Sequence, residues 1–221
     1  MFTPIPFSVF EERTGIPKSS FVKNWGVVQE IVSLRQLTHV ESIQVMPLDY
    51  LKQLLMNVCL EGGKEKPYEH SVIITARMDP CSLAVGQTFI QRDKYRDFLE
   101  NFQDVLSSFC VTKGIAKCTA LIIFGQTGNG VPAIAHYLPP IVEENAGTLC
   151  LLDGIHRNFL VKMVGTTLES IIVKEISRPF PCELHDWSAV QLVDAKPPKE
   201  KRFFGLREEL FRDLKAIGVD G

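Results

Sequence analysis

Leu151-Leu152-Asp153-Gly154-Ile155-His156-Arg157-Asn158 is an apolar run that stops at Asp-Gly and passes at once into a helix-like segment bearing His and Arg. The stretch predicts a strand ending at a glycine corner, where the backbone comes close and the first amides of a new helix face outward. That is the layout of an anion site. His156 adds a titratable donor to it and Arg157 a permanently charged fork.

Reading outward, Thr148 to Leu152 is the strand itself, preceded by Pro139-Pro140-Ile141-Val142 and a polar turn ending at Gly147. Beyond the corner, Phe159, Leu160, Met163 and Val164 are the apolar residues of a helix, and Gly165 sits where a helix C-terminus favours a left-handed residue. Leu168 to Ile176 reads as a further strand. Strand, short helix and strand in this order point to an α/β fold.

Ser71-Val72-Ile73-Ile74-Thr75-Ala76 is a β-branched strand followed by a turn at Asp79-Pro80. After Gln91-Arg92, the apolar residues Tyr95, Phe98, Leu99, Phe102, Val105, Leu106 and Phe109 recur at helical spacing, with charges between them as a solvated face. Thr119 to Phe124 is a buried strand closed by Gly125-Gln126-Thr127-Gly128-Asn129-Gly130. That turn has the glycine spacing of a phosphate loop, but Val131-Pro132 stand where Lys and Ser/Thr are needed, so a hairpin or connecting loop is expected.

Nearer the start, residues 1 to about 45 show no clear period, and Val27 to Val32 fits helix or strand. From Pro47, the spacing of Leu48, Leu51, Leu54, Leu55 and Val58 predicts a helix ended by Gly62-Gly63. Past Ser177 the chain is irregular through Pro179 and Pro181, and Lys196 to Arg202 reads as a solvated basic linker. A terminal helix is expected from Leu206 to Ile217 with Gly218 as its stop.

With 221 residues, 45% of them hydrophobic, the chain can bury a substantial core. Its formal charge of −2 offers no general attraction to phosphodiester backbones, so DNA is not the favoured partner. The six cysteines form no C-x-x-C pair and no zinc spacing, and read as small core residues in a reducing compartment. Met1 to Phe7 is apolar but lacks a basic n-region, and no stretch is long and apolar enough to cross a bilayer, so the expected location is cytoplasmic with no membrane partner.

Two blocks carry a resemblance to the ParB/sulfiredoxin superfamily of small nucleotide-binding or phosphate-handling domains. The corner Asp153-Gly154-Ile155-His156-Arg157, between a strand and a helix, is similar to the family's phosphate-binding corner. Gln91-Arg92 before a long amphipathic helix resembles the element that precedes the corresponding helix in partition proteins and in free-serine kinases. The likeness spans roughly residues 70 to 177, with Lys113 to Leu138 longer than the family pattern. It also departs from each member type. Ile155 stands where sulfiredoxins carry a cysteine nucleophile, and His156 where partition proteins have the first arginine of Gly-Glu-Arg-Arg. Val85-Gly86-Gln87-Thr88 has no carboxylate where free-serine kinases have a catalytic acid before Gln-Arg. DNA-sulfur-modification proteins with Asp-Gly-Gln-His-Arg are similar at the motif only.

The resemblance implies an α/β (α+β) fold, a mixed sheet flanked by helices. It divides the chain into an N-terminal extension (1–69), a ParB/sulfiredoxin-like domain (70–177) and a C-terminal segment with linker and terminal helix (178–221). It further implies a nucleotide ligand (ATP, ADP or CTP) with Mg²⁺, and phosphoryl transfer or nucleotide hydrolysis towards a small-molecule or protein acceptor. Phosphate would be held by Arg92, Gly154, His156, Arg157 and Asn158, with Asp153 and His156 as candidate catalytic groups and metal ligands otherwise unassigned.

Each residue has a plainer alternative. Arg157 can instead fix the corner by a salt bridge to Asp153, Asp153 can cap the helix, His156 can be a structural hydrogen-bonder, Arg92 surface charge, and Asn158 a solvent-facing residue. His136, Glu143 and Glu144 flank the Pro-Pro strand without a spacing that ties them to the corner. A non-catalytic DNA- or protein-associated module is the rival reading, and a homodimer is left open.

Overall fold

The computed structural model describes residues 2–21, 28–93 and 119–219. Among these, the strands in chain order are β1 (Ile5–Pro6), β2 (Glu30–Ile31), β3 (Leu37–Val45), β4 (Val72–Met78), β5 (Ala84–Val85), β6 (Phe89–Gln91), β7 (Leu121–Thr127), β8 (Pro132–Tyr137), β9 (Ile141–Asn145), β10 (Thr148–Asp153), β11 (Leu168–Lys174) and β12 (Gln191–Val193). The helices are α1 (Phe7–Thr14), α2 (Leu48–Met56), α3 (Ile155–Met163) and the single turn α4 (Lys199–Arg202). The helix expected from the Tyr95 to Phe109 stripe lies outside the described residues.

Two compact units emerge, and neither is continuous in sequence. The first gathers residues 1–71, 119–138 and 211–221; the second gathers 72–118 and 139–210. The chain thus crosses between units near the expected boundary at residue 70, and again at 119, 139 and 211.

In the first unit a mixed sheet runs β1-β2-β8-β7-β3. The expected hairpin forms: β7 pairs antiparallel with β8, and the turn closes with Thr127 N–H donating to Val131 O at 3.0 Å. β3, which has no readable sequence period, is the edge strand against β7 and is mostly exposed on both faces, so no alternation marks it. The helix expected from Pro47 is α2. Its Tyr50, Leu51, Leu54 and Leu55 are buried, as one face of a 3.6-residue period requires, and each fully buried leucine stabilises by roughly 2 kcal/mol. It ends at Asn57 rather than at the glycine pair. An aromatic cluster fills the core: Phe7 lies 5.6 Å from Phe10 and 5.5 Å from Phe21, and Phe21 lies 6.0 Å from Phe124.

The second unit holds a sheet of order β4-β11-β9-β10-β5 and a small parallel pair of β6 with β12. β9 and β10 form a hairpin whose two turn residues, Ala146 (φ 47°) and Gly147 (φ 79°), are both left-handed, the turn that matches strand twist. β9 is antiparallel to β10 and parallel to β11, so the two strands joined by α3 run antiparallel with β9 between them. The strand-helix-strand order is therefore part of a mixed sheet, not a parallel βαβ unit. Alternation along β10 sends Leu149 and Leu151 towards a cluster with Val85, Ile90, Val142 and Ile155, and Cys150 and Leu152 towards one with Phe180 and Cys182.

The terminal helix expected over Leu206 to Ile217 does not form. Single 3₁₀ turns occur at Glu208–Leu210 and Lys215–Ile217, and between them Glu61 N–H donates to Phe211 O (2.7 Å) and Asp213 N–H to Cys59 O (2.8 Å). Backbone groups engaged with residues 59–61 are not available for helical i to i−4 bonds. The basic linker is likewise ordered at its end: Lys199–Arg202 is one helical turn, and Phe203 and Leu206 pack on the Cys150 cluster.

Candidate functional site

The corner is built by three local devices. The register of β10 against β9 shifts between Leu151 and Asp153, a bulge that redirects the strand as it leaves the sheet. Gly154 follows with φ 89°, and a Cβ there would stand 2.9 Å from Pro140 Cβ and 3.0 Å from Arg157 Nη2, so both conformation and space demand glycine. Pro139-Pro140 is thereby placed as the wall of the corner. α3 then begins at Ile155 with Gly154 as N-cap, and Gly165 (φ 67°) follows its C-terminus as the sequence suggests.

Asp153 does not cap the helix. Its Oδ2 accepts from Arg157 Nη2 at 3.1 Å, with the two side chains only 19% and 14% exposed. The structure thus shows the salt bridge that fixes the corner, and holds the guanidinium at the first turn of α3. Asn158 is fully buried rather than solvent-facing, because Ile155, Asn158 and Val161 form the inner face of the helix. Its Nδ2–H donates to Gly154 O (3.1 Å), the carbonyl that also accepts Asn158's own backbone N–H (3.0 Å). Met163 and Val164, expected on the apolar face, are each 65% exposed.

The second motif block meets the first. Gln91 backbone N–H donates to His156 Nε2 at 3.3 Å, which makes Nε2 the acceptor and puts the proton of the neutral ring on Nδ1. β6 delivers Gln91 to this position, and β12 pairs with it from a segment that looks irregular in sequence. Arg92, the next residue, pairs with Asp194 at 2.9 Å in an exposed ion pair, a contact that competes weakly with a ligand. Asp153, Gly154, His156, Arg157 and Gln91-Arg92 therefore converge, while Asn158 supports them from the core.

His136, Glu143 and Glu144 do other work. In the first unit, His136 Nε2 lies 2.8 Å from Tyr50 Oη and Nδ1 lies 3.3 Å from Gly218 O. Burial pushes the imidazole down to about 4, against the opposing pull of the Gly218 carbonyl. In the second unit, Glu143 is fully buried and accepts from Asn145 Nδ2 (2.9 Å), and Glu144 pairs with Lys174 (3.1 Å). Burial, and then the charge of Glu143, pushes the Cys150 thiol up to about 11.

Among the described residues no group of three or more His, Cys, Asp or Glu could hold a metal ion, and no helix is long and apolar enough to cross a membrane. Asp153 is the carboxylate at the corner, and it is already engaged by Arg157. The donor set fits a cation carried chiefly by ligand phosphates and water, not a protein cage. The chain matches no protein-family model, no curated protein and no solved structure.

Proposed function

We propose that the second unit is a nucleotide-binding module of ParB/sulfiredoxin type, in which the Gly154 to Arg157 corner and Arg92 hold the phosphates of ATP, ADP or CTP with Mg²⁺. The observation that carries this reading is the 3.3 Å bond from Gln91 N–H to His156 Nε2, which joins two motif blocks that lie 65 residues apart in sequence. The neutral His156 ring then offers Nδ1–H, the start of α3 offers its dipole, and Arg157 and Arg92 supply charge. Mg²⁺, when bound, neutralises phosphate charge. Positioning and electrostatic stabilisation supply most of what phosphoryl transfer or nucleotide hydrolysis needs. In this reading Asp153 positions Arg157 and orients an attacking hydroxyl or water.

One observation favours the rival, a non-catalytic module: the only acidic side chain named at the corner, Asp153, is tied to Arg157. Calorimetry of the full chain with ATP, ADP and CTP in Mg²⁺, followed by ³¹P NMR with candidate hydroxyl acceptors, separates the two. Binding with turnover supports the enzyme, binding without turnover supports the module, and no heat with any nucleotide overturns the nucleotide reading altogether.

A further inference from the structure

Among the described residues, the buried side-chain nitrogens and oxygens without a hydrogen-bond partner are Asn158 Oδ1, His185 Nε2 and Arg202 Nε. Two of them belong to the stretch after Ser177 and flank one turn of the second unit. Val85 and His185 exchange both backbone hydrogen bonds, Val85 N–H to His185 O at 2.8 Å and His185 N–H to Val85 O at 2.9 Å. Three residues on, Thr88 N–H donates to Arg202 O at 3.3 Å and Thr88 O accepts from Gln191 N–H at 3.0 Å. The turn from Val85 to Thr88 is therefore gripped by the segments that carry the two orphaned nitrogens. Aromatic rings back both groups: the His185 imidazole meets Phe204 edge to face at 5.2 Å, and the Arg202 guanidinium lies 5.8 Å from the Phe203 ring centre.

A guanidinium cannot shed its proton, so a buried Nε–H without an acceptor is a donor waiting for one. Arg202 has no carboxylate partner among the described residues, and its residue surface is only partly covered, as is that of His185, so a solute can reach both. The placement is also informative. β5 runs parallel to β10 with Val85 opposite Leu151, so the 86–88 turn leaves the sheet at the same end as Gly154.

We propose that His185 and Arg202 form an oxyanion site on the Val85–Thr88 turn, with Arg202 Nε–H and His185 Nε2–H donating to the carboxylate or phosphate oxygens of a small anionic ligand. The site goes beyond the nucleotide reading and does not depend on it. Arginine's planar fork suits both oxyanions, and an imidazole beside it binds more tightly in its protonated form, so affinity rises as pH falls through the His185 titration.

The test uses the full chain with inorganic phosphate and, separately, acetate, each against chloride at equal ionic strength. Nitrogen-detected NMR follows Arg202 Nε–H and the His185 ring, and calorimetry gives the affinity. The expected result is a saturable downfield shift of Arg202 Nε–H, a rise in the His185 titration midpoint, and at least tenfold weaker binding in Arg202→Gln and His185→Asn. Response to phosphate alone or to acetate alone identifies which oxyanion the site takes. The His156→Ala/Arg157→Ala variant keeps this response even where it loses nucleotide. Because the NMR readout is made on the wild-type chain, it stands if a variant fails to fold. Two results overturn the site: an Arg202 Nε–H that responds to neither anion beyond chloride, or anion binding lost in the His156/Arg157 variant and kept in Arg202→Gln.

Discussion

Replacing Gly154 by alanine isolates the two physical demands that shape the corner. The first is conformation: at φ 89° any residue with a Cβ is strained, at a cost of about 1–2 kcal/mol. The second is space, because the new Cβ meets Pro140 Cβ at 2.9 Å and Pro140 Cγ at 3.0 Å. The nearby Arg157 Nη2 can swing aside, but Pro140 is held by its own ring and by Ile171 N–H donating to its carbonyl at 2.8 Å. Overpacking of this kind adds about 1–3 kcal/mol. Gly165, at the other end of α3, is the matched control: its φ is 67° and nothing lies within 4 Å of a Cβ built there. Urea denaturation of the full chain should therefore show Gly165→Ala losing about 1–2 kcal/mol and Gly154→Ala about 2–5 kcal/mol. Equal losses at the two positions, within about 0.5 kcal/mol, would refute the claim that Pro140 crowds the corner.

Further outcomes follow from the same geometry. Tyr50→Phe leaves buried His136 Nε2 without the Tyr50 hydroxyl at 2.8 Å, and should cost about 1–3 kcal/mol in thermal or chemical denaturation. His136 is depressed from 6.5 to about 4, so between those values the unfolded chain takes a proton that the folded one refuses. Stability is thus full above about pH 6.5 and falls as pH drops towards 4, by at most about 3 kcal/mol. His136→Gln should flatten that part of the pH profile, and an unchanged slope would contradict the assignment. A double-mutant cycle on Asp153→Ala and Arg157→Ala should return a coupling of about 1–2 kcal/mol, above the value for exposed pairs; zero coupling would remove the salt bridge as the clamp of the corner. Alkylation followed by mass spectrometry should label exposed Cys81 well before buried Cys150, whose thiol is pushed up to about 11.

How much of this could be read in the sequence depended on whether an element's cause is local. α2 and the β10–α3 corner were legible because their apolar spacing, their glycines and their flanking turns lie within a few residues of one another. The Gly125–Gly130 turn was legible by what it lacks, the lysine of a phosphate loop. The terminal helix was not, since Leu206 and Leu214 share a helical stripe in sequence but pack in different units, and residues 211–213 bond to 59–61. The strand β12 and the roles of His185 and Arg202 were equally hidden, because pairing over a hundred residues leaves no periodic trace. At the site, the residue types were readable, but not that Asp153 would hold Arg157 or that Asn158 would turn inward.

The account rests on two motif blocks acting as one site, and amide chemical-shift mapping of the ¹⁵N-labelled chain tests that directly. Adding ATP, ADP or CTP with Mg²⁺ should move Gln91 and Arg92 together with Gly154, His156 and Arg157, along one saturation curve that disappears in the His156→Ala/Arg157→Ala variant. A folded protein whose two blocks stay still with every nucleotide, or in which only one of them responds, would contradict it.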